Sequence, residues 1–332
     1  MNDQTMSPAP RCSIPGAILA TAMIAALFVV PLRYAAAQQT RAVSRFQSPT
    51  IDVVEVDGQA ARVLSATGGD LQGVVVTIVN DDPAGEKMLQ TVTTTPVTLG
   101  WDLSPPLGEW IEQTIDNATF IPKTLTLASV DSGGNYMARK TFRDAVLAGI
   151  AFPALDRGKT EPANIALRVL APSVQYQLGG RMALPDSSSS KAWLNSNFQI
   201  EIDELPTQRV SRVEPFTWTL QALEQQIGEF RSDPVSSGRL NIDNLKLVIS
   251  ASDFNDWANW MDSFLIRGDS GSSAEKNGVI RFLGADLQQV LLELQLEGIG
   301  LVSMTLPKVD AATGTATFTA EVYVEQIHMQ RF

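Results

Sequence analysis

Residues able to do chemistry are few in this chain. His328 is the only histidine, so a histidine general acid or base has one candidate. It alternates with Ile327 and Met329 near the end of a strand-like run, and the matching place in the first half is Gln175. A role shared by both halves therefore needs no histidine, and His328 reads as a surface or interface residue. Gly268-Asp-Ser-Gly271 has the lettering of a serine-nucleophile loop. That chemistry needs a histidine and a buried carboxylate arranged around the serine, and glycine and serine after a helix read instead as a loop. Arg267-Gly-Asp269 in the same stretch is too short to carry information. Asn80 to Glu86 is acidic and has Gly85 at the sixth place of a calcium-type loop, but Ala84 holds the fifth and Thr91 the twelfth. It reads as a turn. Asn117-Ala-Thr119 is a formal glycosylation acceptor. No phosphate-cradling glycine loop, zinc spacing or dinucleotide fingerprint is present. The reading is no catalytic residue, no cofactor and no metal. A hydrolase built on paired carboxylates stays open, because such pairing is invisible in sequence.

Composition sets the compartment and the partners. The chain has 332 residues, 44% of them hydrophobic, enough to bury sizeable cores. Arg11 precedes an apolar run from Ile14 to Leu32, and Ala35-Ala-Ala37 follows. A positive start, an apolar middle and a small-residue end read as a cleavable export signal ending near Ala37, with an uncleaved anchor as the alternative. The sole cysteine, Cys12, lies inside that signal. No disulfide or thiolate metal site is expected in the exported protein, periplasmic or extracellular. Losing residues 1–37 removes two arginines and one aspartate, so a net charge of −11 becomes −12. That surface repels nucleic acid and anionic lipid, and no second apolar run is long enough to span a membrane.

The halves of the chain repeat. Pro153-Ala-Leu-Asp156 recurs as Pro307-Lys-Val-Asp310, Val54-Glu-Val-Asp57 as Ile200-Glu-Ile-Asp203, Trp110 as Trp260 and Val174 as Ile327. The matches keep their order at a spacing of about 150 residues, and such self-similarity defines a repeat architecture. The organisation expected is a signal over 1–37, a polar lead over 38–45, a first domain over 46–178, a Gly/Ser linker over 179–192 and a second domain over 193–332.

Strands dominate each unit. Val54-Glu-Val-Asp and Phe198-Gln-Ile-Glu-Ile-Asp alternate apolar and polar residues. Val74–Val79, Thr91–Thr98, Ile165–Leu170, Leu245–Ser250, Val279–Leu283 and Thr315–Val324 also suit strands. One helix is expected per unit. Pro105–Ile115 has Ser104 as cap and Leu107, Trp110 and Ile111 on one face; Asp253–Ile266 has Ser252 or Asp253 as cap and Trp257, Trp260, Met261 and Phe264 on one face. Those tryptophans could line a sugar-binding face, but packing of helix on sheet explains them as core. The later part of Asp286–Leu296 reads as strand, as does Tyr136–Phe142. Leu220, Leu223, Ile227 and Phe230 suggest a short extra helix in the second unit. The fold class is mainly β: two tandem β-barrel or sandwich domains, each with one embedded α-helix.

Ile200-Glu-Ile-Asp203, Asp256-Trp257 with Trp260, Glu275-Lys-Asn-Gly-Val-Ile-Arg-Phe-Leu283 and Ala320-Glu-Val-Tyr323 together resemble the phage tail tube proteins, which are related in fold to the tube proteins of contractile secretion systems. The first unit is similar through Val54-Glu-Val-Asp57, Trp110, Leu125-Thr-Leu127 and Phe142-Arg-Asp-Ala145. The resemblance implies a barrel with one helix, stacked as rings into a hollow tube, and no catalytic residues. This chain departs from it in carrying two units and an export signal. The expected function is a non-enzymatic, exported structural protein forming a ring or tube-like homo-oligomer. The alternative is a secreted module that binds a surface polymer or protein.

Overall fold

The computed structural model describes residues 50–78, 85–185, 193–223, 236–310 and 314–332. The expected signal and lead, most of the acidic loop at 80–86, the serine run, and Ile227 with Phe230 lie outside the described residues. In the first half the elements are β1 (Ile51–Val56), β2 (Gln59–Gly68), β3 (Leu71–Ile78), β4 (Glu86–Thr94), β5 (Val97–Trp101), α1 (Pro105–Asn117), β6 (Lys123–Val130), β7 (Asn135–Phe152), β8 (Leu155–Asp156), β9 (Ile165–Leu170) and β10 (Ser173–Arg181). In the second they are β11 (Phe198–Ile202), β12 (Val210–Val213), β13 (Phe216–Leu223), β14 (Ser236–Ile242), β15 (Leu245–Ser250), α2 (Phe254–Met261), β16 (Lys276–Leu283), β17 (Val290–Met304), β18 (Lys308–Val309) and β19 (Ala316–Arg331).

Among the described residues the protein is mainly β, with two barrel-like sheets and one α-helix to each. In the first sheet the strands run β7-β6-β1-β2-β5-β9, and β9 pairs back onto β7 to close the barrel. In the second the order is β11-β16-β17-β19-β15-β12-β8. The segment before β11 returns to β8, where Asp156 N–H donates to the Asn195 carbonyl at 3.0 Å. Local chemistry explains the elements. Asp57 and Gly58 both take positive φ, 49° and 85°, which a two-residue hairpin matched to strand twist requires. In β11 Phe198, Ile200 and Ile202 point inward and Gln199 and Glu201 outward. Prolines open α1, where a missing N–H costs little, and Leu107, Trp110, Ile111 and Ile115 form its buried stripe. A 3₁₀ turn over Ala251–Asp253 leads into α2, and a π turn over Asp262–Ile266 continues it. Trp257, Trp260 and Phe264 lie inside, and Gly268 (φ 79°) ends the run.

Three local expectations change. Ser104 holds the cap position of α1, but its hydroxyl makes no cap bond; the Asp102 carboxylate instead accepts the Ser104 N–H at 3.1 Å. Asp253 stands at the cap of α2 without a cap bond; its Oδ1 pairs with Arg209 at 2.6 Å. Leu220 lies in β13 rather than in a helix. Phe216, Trp218 and Leu220 alternate inward there, and pairing on both sides of the strand overrides the helical spacing.

Strand pairing repeats between the halves down to register. Val54 faces Leu127 in the first barrel and Ile200 faces Ile280 in the second. Phe142 faces Leu125 on one side and Val174 on the other, as Leu296 faces Gly278 and Ile327. Even the irregularities recur. The β7–β9 ladder shifts register between Leu147 and Gly149, and β17–β19 shifts between Leu301 and Ser303. β2–β5 shifts between Val63 and Ser65, and β12–β15 between Val210 and Arg212. Bulges bend and twist a strand at a defined point, so sharing them gives the two barrels the same local curvature.

Residues Pro49–Phe332 form one compact unit, and a single apolar core runs through both barrels from Val54 to Met329. Gly179 and Gly180 belong to β10, which continues to Arg181. Among the described residues no helix is long and apolar enough to cross a membrane.

Candidate functional site

The two barrels are joined along their sheets. The end of β7 belongs to the first barrel and is already paired on one side with β9, Ile150 facing Leu167 and Ala151 facing Ala166. Its other side takes β13: Phe152 faces Phe216, Ala151 faces Thr217, Ile150 faces Trp218 and Gly149 faces Thr219. The chain makes this seam because Phe152, Phe216 and Trp218 are large apolar residues at positions that point into the joint. Phe152 and Phe216 stack with ring centroids 4.7 Å apart. Phe282 of β16 lies 6.3 Å from Phe152 and meets Trp193 edge-on at 4.9 Å. Aromatic groups of this kind dominate the energetics of buried joints.

A second seam lies beside the first. β8 pairs with β12, Leu155 facing Val213 and Asp156 facing Arg212. Arg157 donates to the Val210 carbonyl at 2.8 Å and lies 5.0 Å over the Phe198 ring. Arg212 is held by Glu214 at 2.8 Å.

The third contact uses α1, which packs on the end of β19. Gly108 leaves room for the Arg331 side chain: a Cβ there would lie 2.4 Å from Arg331 Nε. Arg331 N–H donates to Glu112 Oε1 at 3.0 Å, and His328 Nδ1 lies 3.1 Å from Asp116 Oδ1. Burial pushes the Glu112 carboxyl above its ordinary value, against the pull of the Arg331 N–H and guanidinium. His328 thus stands at the joint between barrels, as an interface residue.

The other sequence candidates fall elsewhere. Ser270 lies in an exposed turn after α2, and Arg267 is paired with Asp262 at 2.8 Å. Asn117 is the last residue of α1, and its side chain donates to the Gln113 carbonyl at 2.7 Å. All six tryptophans are buried. Trp110 donates to the Ile121 carbonyl at 2.8 Å and Trp257 to the Pro206 carbonyl at 3.1 Å.

Among the described residues the buried carboxylates are Asp102 and Asp253, one at the start of each helix. Burial raises the Asp102 carboxyl above its ordinary value, opposed by its bonds to Ser104. Neither is paired with the other as acid and base: Asp102 accepts the Ser104 N–H and Asp253 pairs with Arg209. A groove of about 560 Å³ lies among Glu214, Asp243, Lys246, Thr319 and Glu321. Lys246 and Asn244 both turn to Glu321, at 3.8 and 2.9 Å, so its charges answer one another. No group of three or more His, Cys, Asp or Glu is placed to hold a metal among the described residues.

What this arrangement does well is join sheet to sheet. Sequence reasoning passed over Phe152, Leu155, Phe216 and Trp218, which carry the seam. The Pro153–Asp156 match marked the place without showing its partner.

No protein-family model matches the chain, and no curated protein does. Among solved structures it is similar to a chain of the sheath-tube complex of an extracellular contractile injection system (PVC), at 19% identity over 42% of this chain and 97% of that one, TM-score 0.36. It is similar also to a chain of the anti-feeding prophage cap, which terminates a tube, at 20% identity over 40% and 93%, TM-score 0.34. A chain of the anti-feeding prophage baseplate matches at 16% identity over 40% and 91%, TM-score 0.32. TM-scores this low carry no argument about assembly or activity.

Proposed function

We propose that this chain is a non-enzymatic structural protein, exported by its first 37 residues, that builds a ring or tube-like homo-oligomer. On this reading residues 46–178 and 193–332 are two copies of one tail-tube-like domain, joined through 179–192. The observation that carries it is the β7–β13 seam, in which the sheet of one barrel continues into a strand of the next. Two modules of like register joined edge to edge are the start of a head-to-tail series, which closes as a ring when its rotation permits. The repeated register and shared bulges support the duplication. The joint of α1 and β19 gives the only histidine a structural place. Buried tryptophans take away the aromatic face that a sugar- or polymer-binding module would present.

Light scattering on the size-separated exported protein, with negative-stain microscopy, tests the assembly. Rings, tubes or a concentration-dependent mass are expected. A monomer across the whole accessible concentration range rejects the structural reading. Sequencing the N-terminus of exported protein tests the signal, with a start just after Ala37 expected.

A further inference from the structure

We propose that copies of this chain associate head to tail through the same register that joins its own two barrels, with the β3 edge of one copy paired to residues 303–306 of the next. The inference deepens the self-association proposed above and rests on it.

The argument starts from what each strand lacks. β13 has a partner on both sides, β14 and β7. Its counterpart in the first barrel is β3, because Leu71 faces Thr94 as Trp218 faces Ile242. The backbone bonds at the open end of each hairpin also agree: Thr95 N–H donates to the Asp70 carbonyl at 2.9 Å, and Asp243 N–H to the Thr217 carbonyl at 3.0 Å. Yet among the described residues β3 pairs with β4 alone. At the other end, Gly149 and Ile150 have partners on both sides. Among the described residues their counterparts Ser303 and Met304 pair only with Glu321 and Ala320 of β19. The chain therefore carries one completed seam and the two halves of another, on different barrels.

Exposure tells the same story. Trp218 is 1% exposed and its counterpart Leu71 52%; Phe152 is 1% exposed and Leu306 75%; Leu155 is 0% exposed and Val309 68%. These three apolar positions are covered where the seam is made and bare where it is not. An unpaired edge flanked by bare apolar side chains is a template for strand addition.

The helix contact asks for the same neighbour. α1 of the first barrel holds the end of β19 in the second through Arg331. In register Arg331 faces Leu292 as Leu178 of β10 faces Ala138, and Leu178 lies bare on the first barrel. Ile266, at the end of the second helix run, is bare as well. Both contacts thus point from the second barrel of one copy to the first barrel of another. The occupant is a second copy because this chain supplies both complementary halves. The register that follows pairs Leu71 with Met304, Asp70 with Thr305 and Gly69 with Leu306.

Cysteine cross-linking of the exported full chain tests it, since its only cysteine, Cys12, lies in the signal. Leu71→Cys with Met304→Cys is expected to give disulfide-linked multimers on mild oxidation, because facing strand residues bring their Cβ atoms within disulfide reach. The off-register pair Leu71→Cys with Val309→Cys is expected to give several-fold less. Leu306→Asp, at a bare position where folding tolerates charge, is expected to weaken self-association about tenfold or more. Multimers that form in solution but cross-link no better in register than off register, or association unchanged by Leu306→Asp, overturn this interface while leaving self-association standing. A monomer at every concentration overturns both.

Discussion

Lys276 Nζ lies 2.7 Å from Glu204 Oε2, where the turn after the first strand of the second barrel meets the strand that follows the helix. Lys123 and Asp57 make the same contact in the first barrel at 2.9 Å. Both acidic residues have left-handed backbone, φ 59° and 49°. The neighbouring backbone bonds also match, Asp57 N–H to the Thr124 carbonyl and Asp203 N–H to the Asn277 carbonyl, both at 2.9 Å. A pair kept in both barrels with different acids marks a geometric need, the tying of the first strand's turn to the strand after the helix.

These pairs make stability depend on acid. The Lys276 hydrogen bond and charge hold the Glu204 carboxyl below its ordinary 4.5. For Asp57 burial acts against the charge, but the Thr124 N–H and Lys123 outweigh it and hold the carboxyl below 3.8. A lowered native pKa gives stability that is present above the unfolded value and lost as pH falls through the folded one. Melting temperature is expected to fall on acidification below about pH 4. In the double variant Asp57→Asn with Glu204→Gln the acid limb becomes shallower. An unchanged limb in that variant refutes the assignment.

The Tyr323 hydroxyl donates to Glu275 Oε1 at 2.5 Å. Burial, and then the carboxylate beside it, push the phenol up to about 12. Its proton is held more tightly in the folded protein, so stability is full below pH 10 and is lost as pH rises toward 12. Ultraviolet titration is expected to show Tyr323 titrating late, moved toward 10 by Glu275→Gln. Gly300 leaves room for the ring, since a Cβ there would lie 2.0 Å from its Cζ. Gly300→Ala is therefore expected to lower the late titration too.

Phe216 stacks on Phe152 across the seam, and the core is continuous between barrels. Calorimetry is expected to give one cooperative transition for residues 49–332. Phe216→Ala is expected to destabilise it by about 3–5 kcal/mol, as large-to-small core substitutions do. Two separate transitions in the parent protein, with one untouched by Phe216→Ala, contradict a shared core.

Gly108 meets Arg331 at the other joint. Gly108→Val forces side-chain bulk between α1 and β19 and is expected to cost about 1–3 kcal/mol in urea unfolding. Glu112→Gln, which keeps the acceptor for the Arg331 N–H, is expected to cost less. Equal effects of the two would place the strain elsewhere.

Much of the fold was legible in the residues. The alternation of Phe198, Ile200 and Ile202 marked a strand, and the stripe through Trp257, Trp260 and Phe264 a helix run, because each follows from spacing within one element. The match of Val54 to Ile200 and of Val174 to Ile327 named positions that share register. Leu220 reads as helical by spacing that suits either element, and it lies in a strand whose partner in β7 is far off in the chain.

What sequence alone determined is local: most of the strands, the two helices and the order in which they come. Those depend on neighbours along the chain. Only the tertiary structure decided that Phe152 is covered and Leu306 bare. The two occupy corresponding places at the ends of corresponding strands, and nothing near either in sequence separates them. The difference is whether another strand lies alongside, and that is set by a residue far along the chain or on another molecule.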